Sequence, residues 1–275
     1  NAFASCVKLK NISVSKCTYL GNSVFKYCYS LTNVNFPECT QVGSFCFESC
    51  MNLSSISFPK LGYVASGGFN YCRKLMSVTL PECTNLGSAA FCDIGISELS
   101  AQNLPKCTNI GSWAFAECEN LKTVDLPNCL QISNWTFGNC RELESVNLPN
   151  VSIIGANDTY YSMYGTFAGC WKLHNVNLPN VQTLISRTFN LCSNLSTISL
   201  PKVTLICQSA FSGCINLSEI YLLNSQVCSL HGSGAFVNTL ITSSTGSIYV
   251  PASLVSEYKV ASNWSYFSDR IFGVD

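Results

Sequence analysis

Charge is scarce in this 275-residue chain: 11% of residues are Asp, Glu, Lys or Arg, and fifteen basic residues balance fifteen acidic ones. A nucleic-acid-binding stripe or a polyanionic tail needs an excess of one sign, so no nucleic-acid partner is expected. Histidine occurs twice, at His174 and His231, and no two cysteines form a C-x-x-C pair. The ligand spacings of a zinc site are therefore missing, and neither a metal nor a cofactor is expected. There is no Gly-rich phosphate loop, because Gly67-Gly68 falls in a repeated small-residue column. No apolar run approaches the roughly 18 residues that span a bilayer, so membrane insertion is not expected of this segment. Nothing at Asn1 resembles a signal peptide. The chain opens inside a repeat, so the expectation is that a native signal peptide has been trimmed away.

What the chain has in abundance is periodic. Phenylalanine recurs at Phe3, Phe25, Phe47, Phe69, Phe91, Phe115, Phe137, Phe167, Phe189, Phe211 and Phe236, mostly 22 residues apart. Cysteine follows three residues later nine times, as in Cys28, Cys50 and Cys140. Eight of the nine prolines fall in one further column, from Pro37 to Pro201. One coil per period is the physical reading. Val34 and Phe36 alternate with Asn33 and Asn35, the pattern of a strand with one buried face. Such a strand cannot shield its apolar side alone, whereas stacked coils line their apolar columns into one long core. Proline ends each strand because it lacks a ladder donor.

The block Leu31-x-x-Val34-x-Phe36-x-x-Cys39 matches a leucine-rich repeat. The longer string in Leu121 to Cys140, and again in Leu195 to Cys214, resembles the BspA-like repeats of bacterial cell-surface proteins, over roughly residues 3 to 223. The expected fold is thus an α/β-type leucine-rich-repeat solenoid of about ten coils at 1–246, with an insertion at 156–164 and a C-terminal strand–helix cap at 247–275. A right-handed parallel β-helix is the alternative, disfavoured because each period shows only one clear alternating strand. In the cap, Ser247 to Pro251 reads as a last strand and Ala252 to about Ala261 as a helix, with Trp264 expected in packing.

Eighteen cysteines invite a disulfide reading, yet nine follow the phenylalanine and five more (Cys17, Cys39, Cys83, Cys107, Cys129) share a column with Leu61, Val151, Val181 and Val203. That exchange marks buried apolar sites, so mostly free, inert thiols are expected. Cys46, Cys92, Cys207 and Cys228 lie off both columns and are the expected places for any oxidation. Free thiols normally point to a reducing compartment; the BspA-like resemblance implies an anaerobic habitat, which reconciles them with a surface location.

No catalytic constellation emerges, and His174, with Glu144 and Lys122 at matching positions, reads as a mixed-charge ladder. The outward strand face carries mainly short polar residues, broken by Asp125, Glu219 and Tyr221, and reads as a solvated sheet. The candidate binding residues lie elsewhere. Two residues before the repeat phenylalanine stand Phe45, Trp113 and Trp135; the insertion brings Tyr160, Tyr161, Met163 and Tyr164, and Trp171 follows. Together they predict an aromatic ridge for glycan rings or a protein loop. The expected function is a secreted or cell-surface recognition scaffold, not an enzyme, and the resemblance implies attachment to host or cell-surface proteins or glycans. The alternatives are a non-binding structural spacer and, more remotely, a carbohydrate-active β-helix enzyme. Nothing in the sequence fixes an oligomeric state.

Overall fold

The computed structural model describes residues 1–155, 165–243 and 245–275. Each coil contributes two short parallel strands, not one. The first is the alternating strand, as in Asn33–Asn35, Ser77–Thr79, Thr123–Asp125 and Thr197–Ser199, with the middle side chain turned inward. The second has only two residues, as in Gln41–Val42, Asn85–Leu86 and Asn109–Ile110. Two residues are too few to show an alternation, which is why the sequence pattern reveals one strand per period. Stacking in register gives a parallel first ladder, in several runs along the coils, and a second ladder of seven strands from Tyr19–Leu20 to Ile153–Ile154, followed by three from Thr183–Leu184 to Ser229–Leu230. The second ladder divides at the coil that carries the insertion, where Ile185 packs into the space above Gly155, whose φ is +74°.

The core is built from columns. Consecutive repeat phenylalanines stack face to face from Phe3 to Phe236, including Phe137 on Phe167 at 5.6 Å across the insertion. A second column pairs Phe36 with Phe58 at 6.2 Å. The phenylalanine segment itself is an irregular turn, and the one α-helix among the described residues is Val255–Val260. Residues two before and two after each phenylalanine adopt positive φ in most coils, for example Ser23 and Tyr27, or Trp113 and Glu117. Every second N–H of this turn points along the solenoid axis. Ser23, Phe25 and Tyr27 donate to the carbonyls of Ser44, Cys46 and Glu48 in the next coil. The turn thus carries a third hydrogen-bond array, and its buried backbone is paired without a helix.

At the C-terminus the first ladder continues through Ser247–Pro251 and then Ile271–Val274, a strand not foreseen from sequence. Between them lie a 3-10 turn (Ala252–Leu254) and the helix Val255–Val260, shorter than the expected 252–261. Phe267 meets Phe236 edge-on at 5.5 Å and closes the phenylalanine column. Trp264 is fully buried, and its Nε1 donates to the Cys228 carbonyl at 2.6 Å.

Candidate recognition surface

Burial removes most of the thiols as reactive groups. All eighteen cysteines are free and sixteen are buried. In the column after phenylalanine, each thiol donates to the phenylalanine carbonyl of the preceding coil, from Cys28 to Phe3 at 3.1 Å through Cys214 to Phe189 at 3.0 Å. In the other column the thiol reaches the carbonyl two residues on, as Cys39 does to Gln41 at 3.2 Å. The four off-column cysteines do not fit the expectation that they are the sites open to oxidation. Cys46, Cys92, Cys207 and Cys228 are all buried, and burial pushes the Cys46, Cys92 and Cys228 thiols up to about 12. The accessible thiols are Cys6 and, in part, Cys17, both in the first coil. No group of His, Cys, Asp and Glu among the described residues is arranged to hold a metal ion.

Part of the outward face of the first ladder pairs its short polar groups with one another. Asn177 donates to Asn147 at 2.6 Å, Asn147 to Asp125 at 2.7 Å, and Asn33 to Asn11 at 2.7 Å. The expected Lys122–Glu144–His174 ladder forms no ion pair among the described residues; the strand backbones stack, and His174 Nδ1 lies 3.0 Å from the Lys172 carbonyl instead.

The aromatic residues divide into separate settings. Trp113 and Trp135 sit on adjacent coils with ring centroids 5.4 Å apart, tilted by 42°, and both are half-buried. Their φ values are 64° and 53°, in the column that other coils fill with Ser23, Gly67 or Ala89. Phe45 (φ 56°, 41% exposed) shares the column but not the pair, because Gly67 and Ala89 intervene. Its ring covers Gly67, where any Cβ would collide with it. The Lys26 ammonium lies 5.3 Å from the Phe45 ring and 4.8 Å from Tyr27. Lys26 also bonds Glu48 at 2.7 Å, and that hydrogen bond raises its pKa. Trp171, 47% exposed, stands four residues past its phenylalanine on the other flank of the turn, stacked under Arg141 at 4.7 Å. Tyr160, Tyr161, Met163 and Tyr164 lie outside the described residues.

Sequence reasoning missed a second aromatic strip. Tyr221, Tyr249 and Phe272 occupy matching positions on three consecutive strands of the first ladder. The centroids of the first two are 4.6 Å apart and those of the last two 6.2 Å, and the Tyr221 hydroxyl donates to Glu219 at 3.1 Å. The signal was present in Tyr221 and Tyr249, but the strand bearing Phe272 follows a cap that breaks the repeat. A notch of about 390 Å³ lined by Arg73, Asp93, Glu117 and Glu119 was also missed. It opens where Asp93-Ile94-Gly95-Ile96 makes a shorter turn than its neighbours.

Six copies of the BspA type leucine rich repeat region match this chain, over residues 1–104, 40–164 and 163–257. The chain belongs to that family. Solved structures agree on the fold of this BspA-type protein. A leucine-rich repeat protein from Bacteroides ovatus superposes with a TM-score of 0.76 at 24% identity, covering 97% of this chain and 66% of its own. A leucine rich cell surface protein from Faecalibacterium prausnitzii gives 0.52 at 24% identity, covering 86% and 72%. The pneumococcal vaccine antigen PcpA gives 0.51 at 15% identity, covering 97% and 79%. The BspA-type chain thus spans just under two thirds of the Bacteroides ovatus protein. No curated protein matches it in sequence. No helix among the described residues is long and apolar enough to cross a membrane.

Proposed function

We propose that this BspA-type protein is a secreted or cell-surface recognition scaffold that binds a protein or glycan on a host or neighbouring cell and carries out no catalysis. In this reading the solenoid at 1–246 presents the binding surface and 247–275 caps it. The observation that carries it is the Trp113–Trp135 pair. A non-glycine residue in the left-handed region costs about 1–2 kcal/mol; Gly67 avoids that cost, whereas Ser23, Ala89 and Arg187 bear it at the same position as the tryptophans do, so the backbone there does not call for a tryptophan. Two tryptophans in contact with each other and only partly buried, in a column that other coils fill with Ser23, Gly67 or Ala89, support a partner-binding reading, since tryptophan is among the residue types that dominate binding energetics. Phe45 and Trp171 are proposed as further contacts in their own settings, and Tyr160, Tyr161 and Tyr164 of the insertion are proposed for the same role on their sequence. The cell-surface name of the Faecalibacterium structure supports the location.

The test is to immobilise the chain and screen it against arrays of extracellular matrix proteins and of glycans at micromolar concentration. Selective retention of one class supports the scaffold. Silence on both arrays overturns it in favour of a structural spacer.

A further inference from the structure

The outward row of the second ladder runs Tyr19, Gln41, Tyr63, Asn85, Asn109, Gln131, Ile153, in register from coil to coil. Around its middle lies a groove of about 420 Å³, within the range of small-ligand sites. It is lined by Tyr63, Asn85, Asn109 and Gln131 of that row together with Gly87 and Gly111, and no charged residue lines it. The glycines are required by packing: a Cβ at Gly111 would lie 2.7 Å from the Gly87 carbonyl carbon, and one at Gly87 2.7 Å from the Ser66 nitrogen. Their absent side chains let successive coils approach closely beneath the polar row.

The amides of the row are pre-set. Asn109 Nδ2 donates to Asn85 Oδ1 at 2.6 Å, and Asn85 Nδ2 donates to Thr84 Oγ1 at 2.8 Å. That chain fixes both amides and leaves Asn109 Oδ1, the Gln131 amide and the Tyr63 hydroxyl without a protein partner among the described residues. The groove therefore offers acceptors and donors together, no net charge, and an aromatic ring (Tyr63, 41% exposed). Phosphate or a carboxylated sugar calls for a cation, and a basic peptide calls for a carboxylate; the lining has neither. Hydroxyl groups both donate and accept, and the C–H face of a sugar ring packs on an aromatic face. We propose that this groove binds a neutral oligosaccharide. Three strand spacings separate Tyr63 from Gln131, about 14 Å, which suits several sugar rings rather than one. The inference rests on the recognition role proposed above.

The experiment presents the full chain to an array of uncharged gluco-, galacto- and manno-oligosaccharides beside sialylated and sulfated forms, at low and high salt. Asn109→Ala and Tyr63→Ala are run in parallel, with melting curves confirming that each variant is folded. The groove predicts binding of an uncharged glycan that salt does not weaken, reduced about tenfold in each variant, the size of one lost hydrogen bond or ring contact. Three outcomes overturn it: no uncharged glycan is bound, binding needs the acidic group and fades with salt, or both variants bind as the parent does. If the chain instead holds a matrix protein, recognition stands and only the glycan assignment falls. If neither array retains it, both fall together.

Discussion

The Cys140 thiol lies 3.1 Å from the carbonyl oxygen of Phe115, one coil earlier, and is the only donor to that buried oxygen among the described residues. Cys140 therefore does more than fill space: it pairs a carbonyl that its turn leaves open, whereas in most coils the N–H three residues on also donates to the phenylalanine carbonyl. Cys129 differs, because coils elsewhere place Leu61, Val151 or Val203 in its column and bury them equally well. Cys140→Val is expected to lower stability by about 1–3 kcal/mol, the cost of an unpaired buried carbonyl, while Cys129→Val costs less than about 1 kcal/mol. Urea unfolding of the two variants checks the contrast, and equal losses would contradict it.

The buried thiols also set a pH dependence. Burial pushes Cys46, Cys92, Cys129 and Cys228 up to about 12, whereas an unfolded thiol titrates near 8.5. Between those values the unfolded chain gives up protons that the folded chain keeps. Stability is therefore fully present below about pH 8.5 and is lost as pH rises towards 12, by about 1.4 kcal/mol per pH unit for each thiol. The urea midpoint is expected to fall steeply from pH 8.5 to 10, less steeply in Cys129→Val. A midpoint that stays level over that range contradicts the account.

Backbone strain gives a third expectation. Trp113→Gly removes ring contacts but places in the left-handed position the residue that suits it. The two effects oppose each other, so thermal unfolding is expected to shift by no more than the equivalent of about 1 kcal/mol. A loss of several kcal/mol would mark Trp113 as a structural residue.

The cap offers the opposite case. Trp264 is fully buried, lies 6.1 Å from Phe236, and donates to the Cys228 carbonyl. Trp264→Ala is expected to cost about 3–5 kcal/mol and to expose the last coils first. Hydrogen exchange resolved along the chain distinguishes this from uniform destabilisation, with protection expected to fail first near Phe211 and Phe236.

The solenoid was legible in the sequence because its core is columnar: the same phenylalanine, cysteine and proline recur where the same neighbours surround them. The two-residue strands were not legible, since Gln41–Val42 is too short to show a period. Nor was the strand Ile271–Val274, which lies past a segment with no repeat to align it. The aromatic column was visible by position, but its division was not. Gly67 and Ala89 separate Phe45 from Trp113, and only the coil-to-coil register turns that spacing into distance. The polar groove lay in plain view as Asn85, Asn109 and Gln131, yet its meaning depended on a second ladder that the pattern had hidden.

The central claim is that Trp113 and Trp135 serve recognition rather than folding. The most direct test titrates the partner found on the arrays against the parent chain and the Trp113→Ala, Trp135→Ala variant, with melting temperatures measured on the same samples. The account predicts a loss of affinity of at least about tenfold, roughly 1.4 kcal/mol, in a variant that melts within a few degrees of the parent. Unchanged affinity, or a loss matched by gross unfolding, would contradict it.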